Sequence, residues 1–402
     1  MGNYLNPDNS KFQRAVNSDI YVDKTGLIKY TNRVINTMQA YVCVSRPRRF
    51  GKSMAADMLT AYYSKGCDSR EVFSGLEITE DETFDRYLNK YDTVFLNVQE
   101  FLSRSSDVKE LIARIKQRVI RELTRQYPDV ELFDSTDLAE TMQDIYAESK
   151  CPFVLIIDEW DCIFREFRQN KEAQEKYLDF LRDLLKDKAC IHLAYMTGIL
   201  PIKKYGTHSA LNMFDEFSMI NPGPLAPYVG FTEVEVEYLC HKYRMDMEEV
   251  KAWYDGYSFS MAASVYSPRS VVNSMLFGKI ENYWNQTETF EALQVYIDMN
   301  FEGLRDDILS MIAGETVPVN TRSFTNDMTT FRTEDDVLTL LIHLGYLGYR
   351  YADKTVFIPN EEIRSEYVSA IAVSDWGEVS KALKNSADTL QAIWQGREEQ
   401  VA

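Results

Sequence analysis

Four residues in two separate places have the types and settings for phosphate and metal chemistry. They are Lys52 and Ser53, directly after Gly51, and Asp158 with Glu159. Gly51-Lys52-Ser53 stands between a short apolar run, Tyr41-Val42-Cys43-Val44, and a segment carrying Met54, Met58, Leu59 and Tyr62 at helical spacing. A strand, a tight loop and a helix in that order form a phosphate cradle, because backbone N–H groups at the helix start face an anion. Lys52 can then reach the outer phosphates, and the Ser53 hydroxyl can hold Mg²⁺. The second place is Phe153-Val154-Leu155-Ile156-Ile157, an unbroken apolar run ending in Asp158-Glu159. An Asp at the tip of a buried strand can hold the Mg²⁺ shell next to Ser53, and the adjacent Glu can orient or deprotonate water. Each half alone reads equally as an ordinary helix start or an acidic strand-to-loop pair. In this order they predict a nucleotide site, with Lys52 and Glu159 catalytic and Ser53 and Asp158 on the metal.

The loop departs from the full phosphate-binding pattern, which places a glycine five positions before Gly51 where this chain has Arg46. Arg46, Arg48 and Arg49 crowd the turn. At least one is expected to replace lost backbone contacts with charge-assisted bonds to phosphate. The alternative is a solvated basic turn pairing with neighbouring acids. Phe50, Gly51 and Met54 complete the expected nucleotide-binding set. Thr197, which follows the apolar run Ile191 to Met196, is expected near the γ-phosphate, or else satisfies backbone groups. His192, His208, His241 and His343 show no ligand spacing, and no Cys/His metal set exists.

The elements that must position these residues alternate. Apolar runs at 41–44, 93–98, 153–157 and 191–196 alternate with helical patterns at 108–126 and 171–187. Strands apolar throughout, separated by helices, predict a parallel sheet covered on both faces, with ligands at the carboxyl edge. The fold class is therefore α/β, a P-loop NTPase sheet over residues 1–220. The pattern changes around Asn221-Pro222-Gly223-Pro224. Thr232-x-x-Glu235 reads as a capping box, and Ser267-Pro268 with Gly278 brackets another helix, so 221–290 is expected to be a helical lid. Residues 291–375 combine helices with a hairpin across Asp353-Lys354, as in a winged-helix-like module or as a helical extension with an incidental hairpin. Residues 376–402 read as a connector or tail.

The bulk properties set bounds. A chain of 402 residues implies more than one core. The formal net charge of −18, from 62 acidic and 44 basic residues, opposes broad attraction to nucleic acid, so DNA is a partner that the overall charge does not support. Six cysteines without paired spacing read as reduced residues of a cytoplasmic protein. The polar start lacks a signal peptide, and no apolar run approaches the ~20 residues of a membrane span, so no membrane partner is expected.

Several motifs in one order resemble a bacterial AAA-ATPase-like family: Tyr21 to Thr25 (YVDKT), Arg46 to Ser53 (RPRRFGKS), Ile157 to Glu159 (IDE) and Trp253 to Tyr257 (WYDGY). Tyr266-Ser267-Pro268, Tyr283-Trp284 and Ile358-Pro359-Asn360 fit as well, so the likeness spans roughly residues 10–365. The resemblance implies that Arg46 is a family feature, that the core is an additional-strand P-loop sheet with catalytic Glu159, and that a helical lid follows. Arg269 stands where relatives often have an aromatic residue. Many relatives continue into a PD-(D/E)xK nuclease, whose chemistry needs a Glu-x-Lys that is absent after Asn360; the expectation is an ATPase-only or truncated form. The implied function is Mg²⁺-dependent ATP binding and hydrolysis coupled to lid movement, with ATP and Mg²⁺ as cofactors and an unknown protein partner or oligomer. The alternative is a nucleotide-dependent switch or scaffold with negligible turnover, with links to DNA processing or defence.

Overall fold

The computed structural model describes residues 2–202, 211–259, 262–284, 290–299, 301, 303–325 and 331–373. At its centre lie five strands: β1 (Tyr41–Ser45), β2 (Asp92–Asn97), β3 (Phe153–Asp158), β4 (Ile191–Gly198) and β5 (Asp215–Phe217). Their spatial order is β2-β3-β4-β1-β5, and every neighbouring pair is parallel. Strand β4 is thus inserted between the strand that leads into the Gly-Lys-Ser loop and the strand that ends in Asp-Glu. The register pairs Asn97 with Asp158, Val44 with Thr197 and Ser45 with Gly198, which brings all these strand ends to one edge.

Every residue of β3 is buried, as its uninterrupted apolar run requires. Flanking helices cover the sheet: Lys52–Tyr63 packs on β3 and β4, while Val108–Gln126, Leu138–Ser149 and Lys171–Leu185 pack against one another. The caps are local and legible. Asp107 accepts from the Glu110 N–H at 2.8 Å, and Asn170 from the Ala173 N–H at 3.0 Å. Strand β5 was not expected from the sequence. It is three residues long, Asp-Glu-Phe, with only Phe217 buried, too short and too polar to stand out.

The segment expected to be a helical lid also departs from that expectation. Alongside helices Glu233–Tyr243, Met247–Tyr254 and Pro268–Phe277 it contains an antiparallel sheet of β6 (Phe231–Thr232), β7 (Tyr257–Phe259) and β8 (Ala262–Tyr266), in the order β6-β8-β7. Strands β6 and β7, of two and three residues, leave too little alternation to read, and the five-residue β8 was not expected as a strand. The capping box at Thr232 and Glu235 is present, and Gly278 closes the third helix at φ 62°. These helices share a separate apolar cluster that includes Val236, Val250, Val271 and Ile20 from the N-terminal segment.

Farther along, β10 (Gly348–Arg350) and β11 (Thr355–Phe357) form the expected hairpin, and β9 (Val317–Pro318) pairs with β11. The buried apolar side chains of Leu304–Ile312, Glu334–Leu344 and the helix Glu361–Val373 are continuous with the core of the main sheet. The expected tail at 376–402 lies outside the described residues.

Candidate nucleotide site

The basic loop turns at a different place from the one the motif implies. Arg46 stays in the sheet: its N–H donates to the Gly198 carbonyl at 3.1 Å, extending the β1–β4 ladder. The bend lies three residues on, where Arg49 has φ 67° and Gly51 has φ 90°. A Cβ on Gly51 would meet nothing within 4 Å, so its glycine serves the left-handed backbone rather than space. Position 46 has no positive φ, and a side chain is tolerated there on conformational grounds.

The Arg46 guanidinium is turned into the protein and is not on the wall of the cavity that Arg48 and Arg49 line. It is fully buried, donates through Nη1 to the carbonyls of Ser45 at 2.8 Å and Phe217 at 3.0 Å, and lies 5.3 Å from the Phe259 ring centroid. Burial pushes its pKa down to about 10. The expectation that Arg46 contacts nucleotide is therefore corrected: it ties the loop to β5 and to β7. Phe50 and Pro47 make similar ties. Phe50 is buried edge-on against Tyr257 at 5.3 Å between ring centroids, and Pro47 approaches Gly345 so closely that a Cβ there would lie 2.7 Å from it. The Arg-Pro-Arg-Arg-Phe loop is thus keyed through Arg46, Pro47 and Phe50 to the WYDGY strand and the C-terminal helices.

Lys52 opens the Lys52–Tyr63 helix and folds back, its Nζ donating to the Pro47 carbonyl at 2.8 Å. Burial lowers its pKa, while Glu159, Asp161 and Asp158 act in the opposite sense. Ser53 and Met54 are exposed at the helix start. Met54 therefore leaves the apolar face assigned to it and joins the cavity wall, while Met58, Leu59 and Tyr62 are buried as expected.

The acidic strand end is buried and already hydrogen-bonded. Asp158 accepts from Thr197 Oγ1 at 2.5 Å and from Asn97 Nδ2 at 3.2 Å. Thr197 is itself buried, so its hydroxyl serves Asp158 from below the cavity rather than lining it. Glu159 sits in the left-handed region at φ 56°, costly for a side chain other than glycine or asparagine, and this turns its carboxylate off the strand. There it pairs with Arg165, whose Nε also lies 3.4 Å from Asp161 Oδ2. Burial raises the Glu159 pKa against the opposing pull of Arg165 and Lys52. Burial acts to lower the Arg165 pKa, but the two carboxylates outweigh it and hold it above its usual value. Asp161 accepts the Ile199 N–H at 3.0 Å and the Leu200 N–H at 2.8 Å, fixing the turn that leaves β4. Asn97, Asp161 and Arg165 escaped the sequence reading. One signal was present, since Asp161 and Arg165 stand four apart at a helix start.

A cavity of about 1030 Å³ brings the two halves together. One end is walled by Arg48, Arg49, Gly51, Lys52, Ser53 and Glu159. The other is walled by Ile20, Tyr21 and Val22 and, across from them, by Arg269, Val272 and Leu276 of the Pro268–Phe277 helix. Lys24, also on the wall, donates to Glu235 at 2.6 Å and to the Pro227 carbonyl at 2.7 Å, pinning the YVDKT segment to residues that follow Asn221. The cavity wall thus combines cationic side chains, among them Arg48, Arg49, Lys52 and Arg269, with apolar ones such as Val22, Val272 and Leu276. Among the described residues no three side chains cluster as a metal cage. Mg²⁺ is commonly held by one or two protein oxygens together with the substrate's phosphates. Of the two residues expected on the metal, Ser53 is on the cavity wall, whereas Asp158 is buried off it, bonded to Thr197 and Asn97.

A parallel sheet with Gly-Lys-Ser at the exit of one strand and Asp-Glu at the exit of another, one inserted strand apart, defines a P-loop nucleotide-binding core. The model of a family described as predicted AAA-ATPase matches residues 10–207, and over that segment the chain is AAA-ATPase-like, as its motifs led us to expect. The chain is similar to an uncharacterized protein in the vnfD 5′ region of Azotobacter chroococcum mcd 1, 27% identical over 278 residues, which are 67% of this chain and 51% of that protein. It thus spans about half the length of that relative. Among solved structures it is similar to the Walker-type ATPase paby2304 of Pyrococcus abyssi (TM-score 0.41, 15% identity, 86% of this chain and 94% of that one). The ORC2 protein of Aeropyrum pernix is similar at TM-score 0.36 and 11% identity, covering 91% of this chain and 98% of that one. Among the described residues no helix is long and apolar enough to cross a membrane.

Proposed function

We propose that the protein binds ATP with Mg²⁺ in this cavity and hydrolyses it, moving the 221–290 lid and the 291–375 segment against the sheet. The observation that supports this reading is that Lys52, Ser53 and Glu159, far apart in the chain, wall one end of a single cavity. In it Lys52 exchanges its bond to the Pro47 carbonyl for the β- and γ-phosphates, and Arg48 or Arg49 adds charge-assisted bonds to them. Ser53 and Asp158 would hold Mg²⁺ brought in with the nucleotide, which would neutralise phosphate charge. Glu159 positions and deprotonates the attacking water once it is drawn off Arg165. The apolar walls of Val22, Val272 and Leu276 receive the base. Because Arg46, Pro47 and Phe50 are keyed to β7 and to Gly345, a loop that shifts around phosphates carries the C-terminal elements with it.

The competing reading is a nucleotide-dependent switch with negligible turnover. The Glu159–Arg165 pair favours it, because a base held by a guanidinium activates no water. Calorimetric titration with MgATP followed by single-turnover phosphate release separates the two. The hydrolytic reading expects heat with the parent, little with Lys52→Ala, and undiminished binding but at least about 100-fold slower release with Glu159→Gln. No heat for ATP or GTP at millimolar concentration sinks both readings. Binding without release by the parent leaves only the switch.

A further inference from the structure

The opposite flank of the sheet, beside β2, carries a feature with no part in the nucleotide cavity. Arg104, Arg118, Arg121 and Arg125 surround a cleft of about 250 Å³, with Asn3, Tyr4 and Glu122 completing its wall. Arg118, Arg121 and Arg125 lie on the Val108–Gln126 helix at i, i+3 and i+7, so they form one exposed ridge. Their carboxylate neighbour is already committed. Glu122 accepts the backbone N–H groups of Asn3, Tyr4 and Leu5 at 3.0, 2.9 and 2.8 Å, clamping the N-terminal segment against the helix. Arg104 reaches Glu100 at 3.0 Å, in an exposed pair that screening leaves weak. No ion pair to Arg118, Arg121 or Arg125 exists among the described residues. In a chain of net charge −18, four guanidinium groups have gathered around one carboxylate that is bonded to backbone, with Glu100 paired to Arg104.

A second cleft of about 570 Å³ adjoins this one through the shared wall residues Asn3, Glu122 and Arg125. Its wall carries Arg14 and Lys11 together with Asp8 and Asp57, Lys11 lying 3.7 Å from Asp57 and its Nζ 4.5 Å from the Phe95 ring centroid. A compact anion would fill the arginine cleft alone. Two adjoining clefts, one ringed by arginines and with Tyr4 on its wall, the other with Arg14 and Phe95 on its wall, match a polymer that carries one phosphate per unit and a flat ring between phosphates. Guanidinium forks take phosphate oxygens two at a time, which favours them over lysines for this task. We propose that the two clefts together form a binding groove for single-stranded nucleic acid, with Arg118, Arg121 and Arg125 on successive phosphates. Asp57 and Thr60, on the far side of the second cleft, belong to the Lys52–Tyr63 helix, so the groove abuts the element that starts at the phosphate loop. The proposal does not depend on ATP being hydrolysed.

The test is fluorescence anisotropy of a labelled 15-nucleotide oligothymidylate with the full chain, between 50 and 200 mM salt. The parent is expected to bind, with affinity falling steeply as salt rises. Arg118→Ala/Arg121→Ala, both exposed and remote from the cavity, is expected to bind at least about 10-fold more weakly, with the log–log salt slope reduced by about 1.4 for two lost contacts on a single strand. Arg118→Lys/Arg121→Lys, which keeps the charge, is expected to fall between. Circular dichroism melts of the variants that match the parent tie any loss to the groove. Absence of binding by the parent at 50 mM salt, or unchanged affinity in the double alanine variant, overturns the proposal. Displacement of the oligonucleotide by inorganic tripolyphosphate at equal phosphate concentration also overturns it in favour of a compact anion site, and equal displacement by polyglutamate in favour of an acidic-peptide site.

Discussion

Replacing Arg165 by methionine removes the one cation in contact with both Glu159 and Asp161 while keeping much of the side chain's volume. Only a tenth of the Arg165 side chain is exposed, whereas about a fifth of Glu159 is, so solvent partly screens the pair. A unit charge near 4 Å at an effective dielectric near 20 is worth about 4 kcal/mol, and roughly half survives that screening. At about 1.4 kcal/mol per pH unit, the Glu159 carboxyl should titrate about 1–2 units higher without Arg165. Burial already raises it, so the direction is unambiguous. Measured as phosphate release at saturating MgATP from pH 5.5 to 9, the acidic limb of the profile should move to higher pH by that amount. Arg165→Lys should restore most of the position. Asp161, fully buried, also loses its cation, and stability should fall by about 2–4 kcal/mol in urea unfolding. An acidic limb that stays put while stability drops would show that Arg165 is scaffolding only, and would refute its control of Glu159.

Three further outcomes follow from particular contacts. Arg46→Gly restores the motif's missing glycine, yet it should leave MgATP affinity no better and cost about 2–4 kcal/mol, because it empties a buried site that bonds the Phe217 carbonyl; calorimetry and thermal melts decide this. Gly256→Ala should destabilise by at least about 3 kcal/mol in the same melts, since φ there is 110° and a Cβ would sit 2.0 Å from the Pro359 carbonyl oxygen. Glu362 links Ser270 to the Tyr283 and Trp284 backbone at 2.8–3.1 Å, and burial pushes its pKa up to about 7. A carboxyl raised in the folded state contributes stability that is complete below its ordinary pKa and lost as pH rises through the raised one. The stability of the parent relative to Glu362→Gln should therefore fall by up to about 3 kcal/mol between pH 4.5 and 8, and a flat difference in urea midpoints would contradict that.

The sequence was a reliable guide where local physics is sufficient. Unbroken apolar runs bounded by acids or by Gly-Lys-Ser determine strands β1 to β4, since a strand covered on both faces has no polar alternative. Capping residues such as Asp107, and the Thr232–Glu235 box, determine helix starts through bonds that span three residues. The same reading paired the Gly-Lys-Ser loop with Asp158-Glu159, because both halves sit at strand ends on one edge. Strands of two or three residues, such as β5, β6 and β7, carry no readable period, and so β5 and the β6-β8-β7 sheet emerged only in the structure. What the extra residues do was likewise decided by packing between segments far apart in the chain. Arg46 looked like a phosphate ligand because it stands in the basic run before Gly-Lys-Ser. The structure commits its guanidinium to the carbonyl of Phe217, about 170 residues away, and moves the bend to Arg49. Thr197 meets Asp158, and Arg165 meets Glu159, because β4 is inserted beside β3 and a helix turns back over the strand end. A nucleotide core is therefore determined by the sequence, whereas the tie between its phosphate loop and the lid exists only in three dimensions, where Phe50 and Tyr257, some 200 residues apart, share one buried contact.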